Sequence, residues 1–217
     1  IVFYMLINTV VYVLLPRSDL KITKNYELKI IFLILWLMSK IINLFGGPGI
    51  GKSSIAAGLT YKLKKNHVSC DNPYEFPKLL AWDENHSAIK DQLYVLANQH
   101  RGIVKSYGKV DFIVLDSPII LSLVYKGEYN GSEYPATLYG DPFDKMVLDI
   151  YNRYDNINIL LERSEGKHNN LERYQSLDES KVLDNVIERT LIDNQIPYHK
   201  LKVNGNTVKN IMKLILN

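Results

Sequence analysis

Gly46-Gly47-Pro48-Gly49-Ile50-Gly51-Lys52-Ser53, directly behind the apolar run Ile41-Ile42-Asn43-Leu44-Phe45, decides how the rest of the chain is read. The stretch fits the phosphate-loop pattern: a glycine, four free positions, then Gly-Lys-Ser. Such a loop turns sharply and brings bare backbone N–H groups against phosphate oxygens, an approach that a Cβ would obstruct. The expected nucleotide contacts are therefore Gly46, Gly47, Pro48, Gly49, Ile50, Gly51, Lys52, Ser53 and Ser54. Lys52 supplies a point charge to the β- and γ-phosphates, and the Ser53 hydroxyl is placed to ligate Mg²⁺. Residues 54–63 carry apolar side chains at helical spacing, so the loop opens a helix whose positive dipole end faces the phosphates.

At 217 residues the chain accommodates one α/β domain with a sizeable core. A net charge of +3 and a pI near 8.7 suit an anionic ligand and fall short of a dedicated nucleic-acid binder. The single cysteine, Cys70, excludes an intramolecular disulfide framework and a cysteine-based zinc site, which makes a reducing cytoplasm the natural compartment.

Residues 1–37 differ in character from the rest of the chain. Residues 1–15 and 30–37 are apolar and flank a polar stretch with Arg17, Lys21, Lys24 and Lys29. Neither run reaches the roughly 20 residues that span a bilayer. A hydrophobic anchor and an extension outside the functional domain both fit. The second is the preferred reading, because Met38-Ser39-Lys40 directly precedes the phosphate-loop strand, much as an initiator methionine precedes a first strand. Residues 1–37 are then upstream sequence and 38–217 the working domain, for which no stable membrane partner is expected.

From Met38 onward, strands and helices alternate, which argues for a parallel sheet with right-handed crossovers. Strands are expected at 41–45, 67–70, 110–115, 157–161 and 197–203. Helices are expected at 52–65, 74–82, 87–107, 142–154, 176–194 and 207–216, with Ile89, Leu93, Leu96, Ala97 and Val104 on one side of the long helix. Ser176-Leu177-Asp178-Glu179 reads as a capping box.

Asp116 closes an apolar strand. A carboxylate at the carboxyl end of a buried strand, beside a phosphate loop, is the Walker B arrangement and is expected to hold Mg²⁺. Its bland alternative is a helix N-cap ahead of Pro118. The Tyr-rich loop 125–141 falls on the substrate side, either to stack on a base or as a surface loop. The cation-rich loop 162–175, with Arg163 and Arg173, lies between a strand and a helix, where arginines swing over transferring phosphates.

The stretches 41–53, Lys90-Asp91-Gln92-Leu93-Tyr94-Val95-Leu96-Ala97, 110–123 with Asp116-Ser117-Pro118, and 151–158 resemble bacteriophage-type P-loop kinases. These are similar to thymidylate-kinase-like enzymes that phosphorylate 5-hydroxymethyluracil in phage DNA, and to the AAA-type ATP-binding domain of ribosylnicotinamide kinase. The resemblance covers residue 38 to the C-terminus. It implies a nucleoside-monophosphate-kinase-like fold, a five-stranded parallel sheet flanked by helices with an arginine-bearing lid, and phosphoryl transfer from ATP with Mg²⁺. A free nucleoside, a nucleotide or a modified base in DNA is the implied acceptor, and a homodimer is an open assembly. It also implies that Glu75, just after the second strand, lies near the acceptor hydroxyl. The order Glu75-Phe76-Pro77-Lys78 departs from the family's Glu-Tyr-Ala-Lys, and Arg173-Tyr174-Gln175 keeps only the ends of an Arg-Asn-Gln pattern.

Lys52, Glu75, Asp116, Arg163 and Arg173 are thus the candidate catalytic set, with Ser53 and Asp116 as the metal pair. Gln92 or Gln99 reads a base edge or belongs to a solvated helix face. An ATP-driven motor would need an additional helical domain, and a nucleotide switch would bind without acceptor-dependent turnover. The absence of an Asn-Lys-x-Asp stretch favours ATP over GTP.

Overall fold

Strand β1 (Lys40–Phe45) buries every side chain after Lys40, the mark of a strand covered on both faces rather than one. Its period of two divides the core. Ile41 and Phe45 point into a cluster with Leu96, Ile103, Val147, Leu183 and Ile187, while Ile42 and Leu44 point into a second cluster with Ile55, Leu59, Leu63 and Ile211. The computed structural model describes residues 39–126, 140–164 and 177–216, except the side chains of His86, Leu177 and Asp178.

The remaining elements, in chain order, are α1 (Lys52–Lys65), β2 (Cys70–Asp71), α2 (Phe76–Trp82), α3 (His86–Lys90), α4 (Gln92–Ser106), β3 (Phe112–Leu115), α5 (Leu121–Tyr125), α6 (Asp141–Tyr151), β4 (Asp155–Glu162), α7 (Leu177–Asp193), β5 (His199–Lys202) and α8 (Thr207–Leu216). The strands form one five-stranded sheet in the order β2-β3-β1-β4-β5, and all four pairings are parallel. Helices α1 and α8 cover one face, and α4, α5, α6 and α7 the other. The order reverses at β1, so a crevice opens beyond the carboxyl ends of β1 and β3, where α/β sheets bind ligands. Among the described residues no helix is long and apolar enough to cross a membrane. The expectations for residues 1–37 lie outside the described residues.

The expected five strands are present, with shifted bounds. β2 is only two residues long. The long helix expected at 87–107 is two helices, because Asp91 ends α3 and caps α4, its carboxylate accepting the Tyr94 N–H at 3.0 Å. This break rotates the buried face to Gln92, Val95, Leu96 and Ile103, leaving Leu93 and Val104 exposed at 50% and 44%.

A buried amide ladder crosses the sheet where β1 meets β4. Asn43 pairs in register with Asn158, and its Nδ2 donates to Asn158 Oδ1 at 3.0 Å and Asn156 Oδ1 at 2.9 Å. Asn158 Nδ2 in turn donates to Tyr151 Oη at 2.7 Å and Pro197 O at 2.9 Å. These bonds tie α6 and the entry to β5 onto the central strands. Asn158→Ala leaves buried polar partners unmatched, so urea unfolding should show a loss of about 1–3 kcal/mol. An unchanged midpoint would mean the ladder contributes register without stability.

Candidate active site

Four strand ends deliver the site. The chain leaves β1 into residues 46–53 with Gly46, Gly49 and Gly51 at positive φ, the last at 102° as the N-cap of α1. That left-handed backbone is accessible to glycine at little cost, and it turns the first turn of α1 back over the strand end. Ile50 is buried under the loop, while Ser53 and Ser54 are exposed on the first turn of α1. Lys52 folds back along the loop, its Nζ donating to Gly46 O at 2.6 Å and Gly47 O at 3.1 Å. Burial lowers its pKa, opposed by the carboxylates of Glu75, Asp116 and Asp184.

Asp116 follows β3 and is buried at 7% exposure. It does not cap α5, whose N-cap is Ile120. Glu75 arrives from the β2–α2 connection. Asn72 pins that connection by donating its Nδ2 to Val114 O at 2.9 Å, and Asp71 accepts from the Ser106 hydroxyl. Glu75 and Asp116 line one recess together with Tyr74, Gln99, Ser117 and Ile119. Burial raises the Glu75 pKa, Asp116 raises it further, and Lys52 and Lys78 pull it down.

Gln99 belongs to this recess and Gln92 does not: Gln92 is buried at the α3–α4 junction, donating to Ile89 O at 2.9 Å. Gln99 Nε2 donates to Ser117 O at 3.1 Å and Ser117 Oγ at 2.8 Å. A carbonyl only accepts, so Ser117 fixes the orientation of the amide. Gln99 Oε1 is buried without a hydrogen-bond partner among the described residues.

Arg163 is not placed as a swinging arginine. It packs against the phosphate loop from the β4 side, with Nε bound to Asp184 Oδ2 at 2.5 Å and Nη2 donating to Pro48 O at 2.7 Å. The Gly47 N–H, expected to face phosphate, donates instead to Asp184 Oδ1 at 2.6 Å. Both departures come from α7, which the sequence marks only as a helix opened by a capping box. A signal was present: Ser180, Leu183 and Ile187 are buried, and Asp184 falls on that same i, i+3, i+4, i+7 face. An acid on a buried stripe needs a partner. Arg173, and most of the Tyr-rich loop, lie outside the described residues.

No group of three or more His, Cys, Asp or Glu among the described residues forms a metal cage. The pair expected to hold Mg²⁺, the Ser53 hydroxyl and the Asp116 carboxylate, offers hard oxygen donors. That set fits an ion bound through one or two protein oxygens, substrate phosphates and water.

A family model described as an AAA domain matches residues 41–207. The chain belongs to the AAA domain family. None of the curated proteins matches this AAA-domain chain. Among solved structures, it is similar to deoxyadenosine kinase from M. mycoides with bound dATP, at 20% identity and a TM-score of 0.58, covering 82% of this chain and 100% of that one. It is also similar to thymidylate kinase from Ehrlichia chaffeensis, at 15% identity and a TM-score of 0.54, covering 82% and 99%. A third neighbour is the NadR protein in complex with NR, at 15% identity and a TM-score of 0.53, where 78% of this chain matches 45% of the other. The likeness is one of fold, and it bears out the kinase-like P-loop resemblance read from the sequence.

Proposed function

We propose that this AAA-domain protein is an ATP-dependent kinase that transfers the γ-phosphoryl group to a hydroxyl of a nucleoside-type acceptor. The observation that carries this reading is Glu75, a carboxylate with a raised pKa that shares the recess with Asp116 beside the phosphate loop. A nucleotide switch has no need of such a group, whereas an acceptor hydroxyl does.

In the proposed reaction the hydroxyl donates its proton to the Glu75 carboxylate as its oxygen attacks the γ-phosphorus. The new O–P bond forms while the bond from the γ-phosphorus to the bridging oxygen breaks, and ADP leaves. Lys52 offsets charge gathering on the phosphate oxygens. Ser53 and Asp116 are the residues that would hold Mg²⁺, which when bound neutralises phosphate charge. Arg173 is proposed to add a further cation.

Gln99 supports a nucleoside-type acceptor. Its Nε2 is committed to Ser117, so it offers only Oε1, a hydrogen-bond acceptor suited to an N–H on a base edge. Ile103, Leu115 and Ile119 give the same recess apolar walls. Within this class, the sequence resemblance favours 5-hydroxymethyluracil in phage DNA, and the fold neighbours favour free nucleosides or nucleotides. The deciding experiment is a radiolabelled-ATP screen across nucleosides, nucleotides, nicotinamide riboside and DNA containing hydroxymethylated pyrimidines. Label is expected in one of these acceptors; ATP binding without label in any of them would replace the kinase reading with a switch.

A further inference from the structure

Gly47 stands at a free position of the phosphate-loop pattern, where the motif itself tolerates a side chain. In this chain a Cβ there would lie 2.6 Å from Ser180 O, 2.8 Å from Asp184 Oδ1 and 3.1 Å from Arg163 Nη2. The close approach of α7 by itself therefore requires glycine at 47. Two consecutive residues of the loop are tied from this side. Asp184 Oδ1 accepts the Gly47 N–H at 2.6 Å, and Arg163 Nη2 donates to Pro48 O at 2.7 Å. The two side chains hold each other: Arg163 Nε meets Asp184 Oδ2 at 2.5 Å, with Nη2 3.4 Å from Oδ1, a two-pronged pairing. Their side chains are only 11% and 22% exposed, so solvent screens the pair weakly.

We propose that Arg163 and Asp184 form a clamp that presets the backbone of the phosphate loop, making them positioning residues for the phosphoryl donor. The proposal rests on residues 46–53 being the donor site. A glycine-rich loop loses more conformational freedom on binding than any other kind of loop. Tying Gly47 N–H and Pro48 C=O to the Arg163–Asp184 pair removes part of that loss before the nucleotide arrives. An arginine is needed because one planar fork must reach both a carboxylate and a carbonyl, which a lysine ammonium cannot do in the same geometry. The pair also bears on Lys52 directly, Asp184 favouring and Arg163 opposing its charge.

The test compares wild type with D184A, D184N, R163A and the R163A/D184A double variant. I187V serves as a control that loosens α7 in the core without touching the loop. Calorimetry with ATP should show affinity falling roughly tenfold to a hundredfold in D184A and R163A, since a charge-assisted bond is lost from each. D184N keeps the acceptor for Gly47 and should fall between. The double variant should be no worse than the weaker single, and I187V should keep wild-type affinity despite a lower melting temperature. In parallel, the Gly47 amide should be protected from hydrogen exchange in wild type and lose that protection in D184A. Near wild-type ATP affinity in D184A, additive losses in the double variant, or equal loss in I187V would overturn the clamp. Should wild type bind ATP but phosphorylate nothing, the kinase reading fails while the variants' ATP affinities still decide the clamp. Should wild type bind no nucleotide, the donor-site reading fails and Gly47 exchange decides.

Discussion

Lys52→Ala is expected to reduce ATP-dependent phosphoryl transfer by about 10³-fold or more while leaving the fold intact. The ammonium is the cation of the loop itself, held over Gly46 O and Gly47 O at the mouth of the crevice. Glu75, Asp116 and Asp184 all favour its charged form. Without it, negative charge on the transferring phosphoryl group meets these three carboxylates with less opposition, and the barrier rises accordingly. The fold does not depend on this side chain. Helix α1 is anchored by Ile55, Ala56, Leu59 and Leu63, and alanine is the best helix former at its first position. Circular dichroism and the melting temperature should therefore stay near wild type. Turnover retained in this variant would remove the kinase assignment altogether.

Glu75→Gln should lower kcat by roughly 10²–10⁴-fold with ATP affinity nearly unchanged, the range expected for loss of a general base. The pH dependence separates this from a packing effect. Burial and Asp116 place the Glu75 pKa above its ordinary 4.5, so the base is ionised only above that raised value. Wild-type kcat should rise with pH through this limb, and the limb should vanish in the variant. Stability should move in the opposite sense. A carboxyl whose folded pKa is raised makes the folded state bind more protons than the unfolded one. Stability is therefore lost as pH climbs from 4.5 towards the raised value. Glutamine escapes this penalty, so the variant should resist urea as well as or better than wild type at neutral pH. A normal kcat, or an acid limb that persists in the variant, would take Glu75 out of the mechanism.

Much of the site is legible in the sequence alone. A phosphate loop is a local motif, since its chemistry depends on glycines and a lysine at fixed offsets, and the loop, α1 and the strand behind it fall where their spacing predicts. Asp116 is legible for a related reason: a carboxylate ending an apolar strand is set by the strand's own length. Arg163 is legible as a cation beside the phosphate loop, but its contacts differ from those its loop suggests. Its partners lie 115 residues upstream at Pro48 and 21 downstream at Asp184, and no periodicity encodes such distances. The split of the expected 87–107 helix at Asp91 shows the same limit at short range, because the capping competence of one aspartate outweighed a continuous apolar pattern.

By itself the sequence determined that a phosphate-loop motif follows β1, that the sheet is parallel, and that acidic and basic groups come after successive strands. Those features rest on contacts within a few residues, or on side-chain periods of two and 3.6. Only the tertiary structure decided which of these groups face one another. The order β2-β3-β1-β4-β5 puts the connection bearing Glu75 beside Asp116, while α7 folds back so that Asp184 closes on Gly47. The physical reason is that strand order and helix docking are settled by burial of both sheet faces at once. That is a property of the assembled core, and no single stretch of the chain carries it.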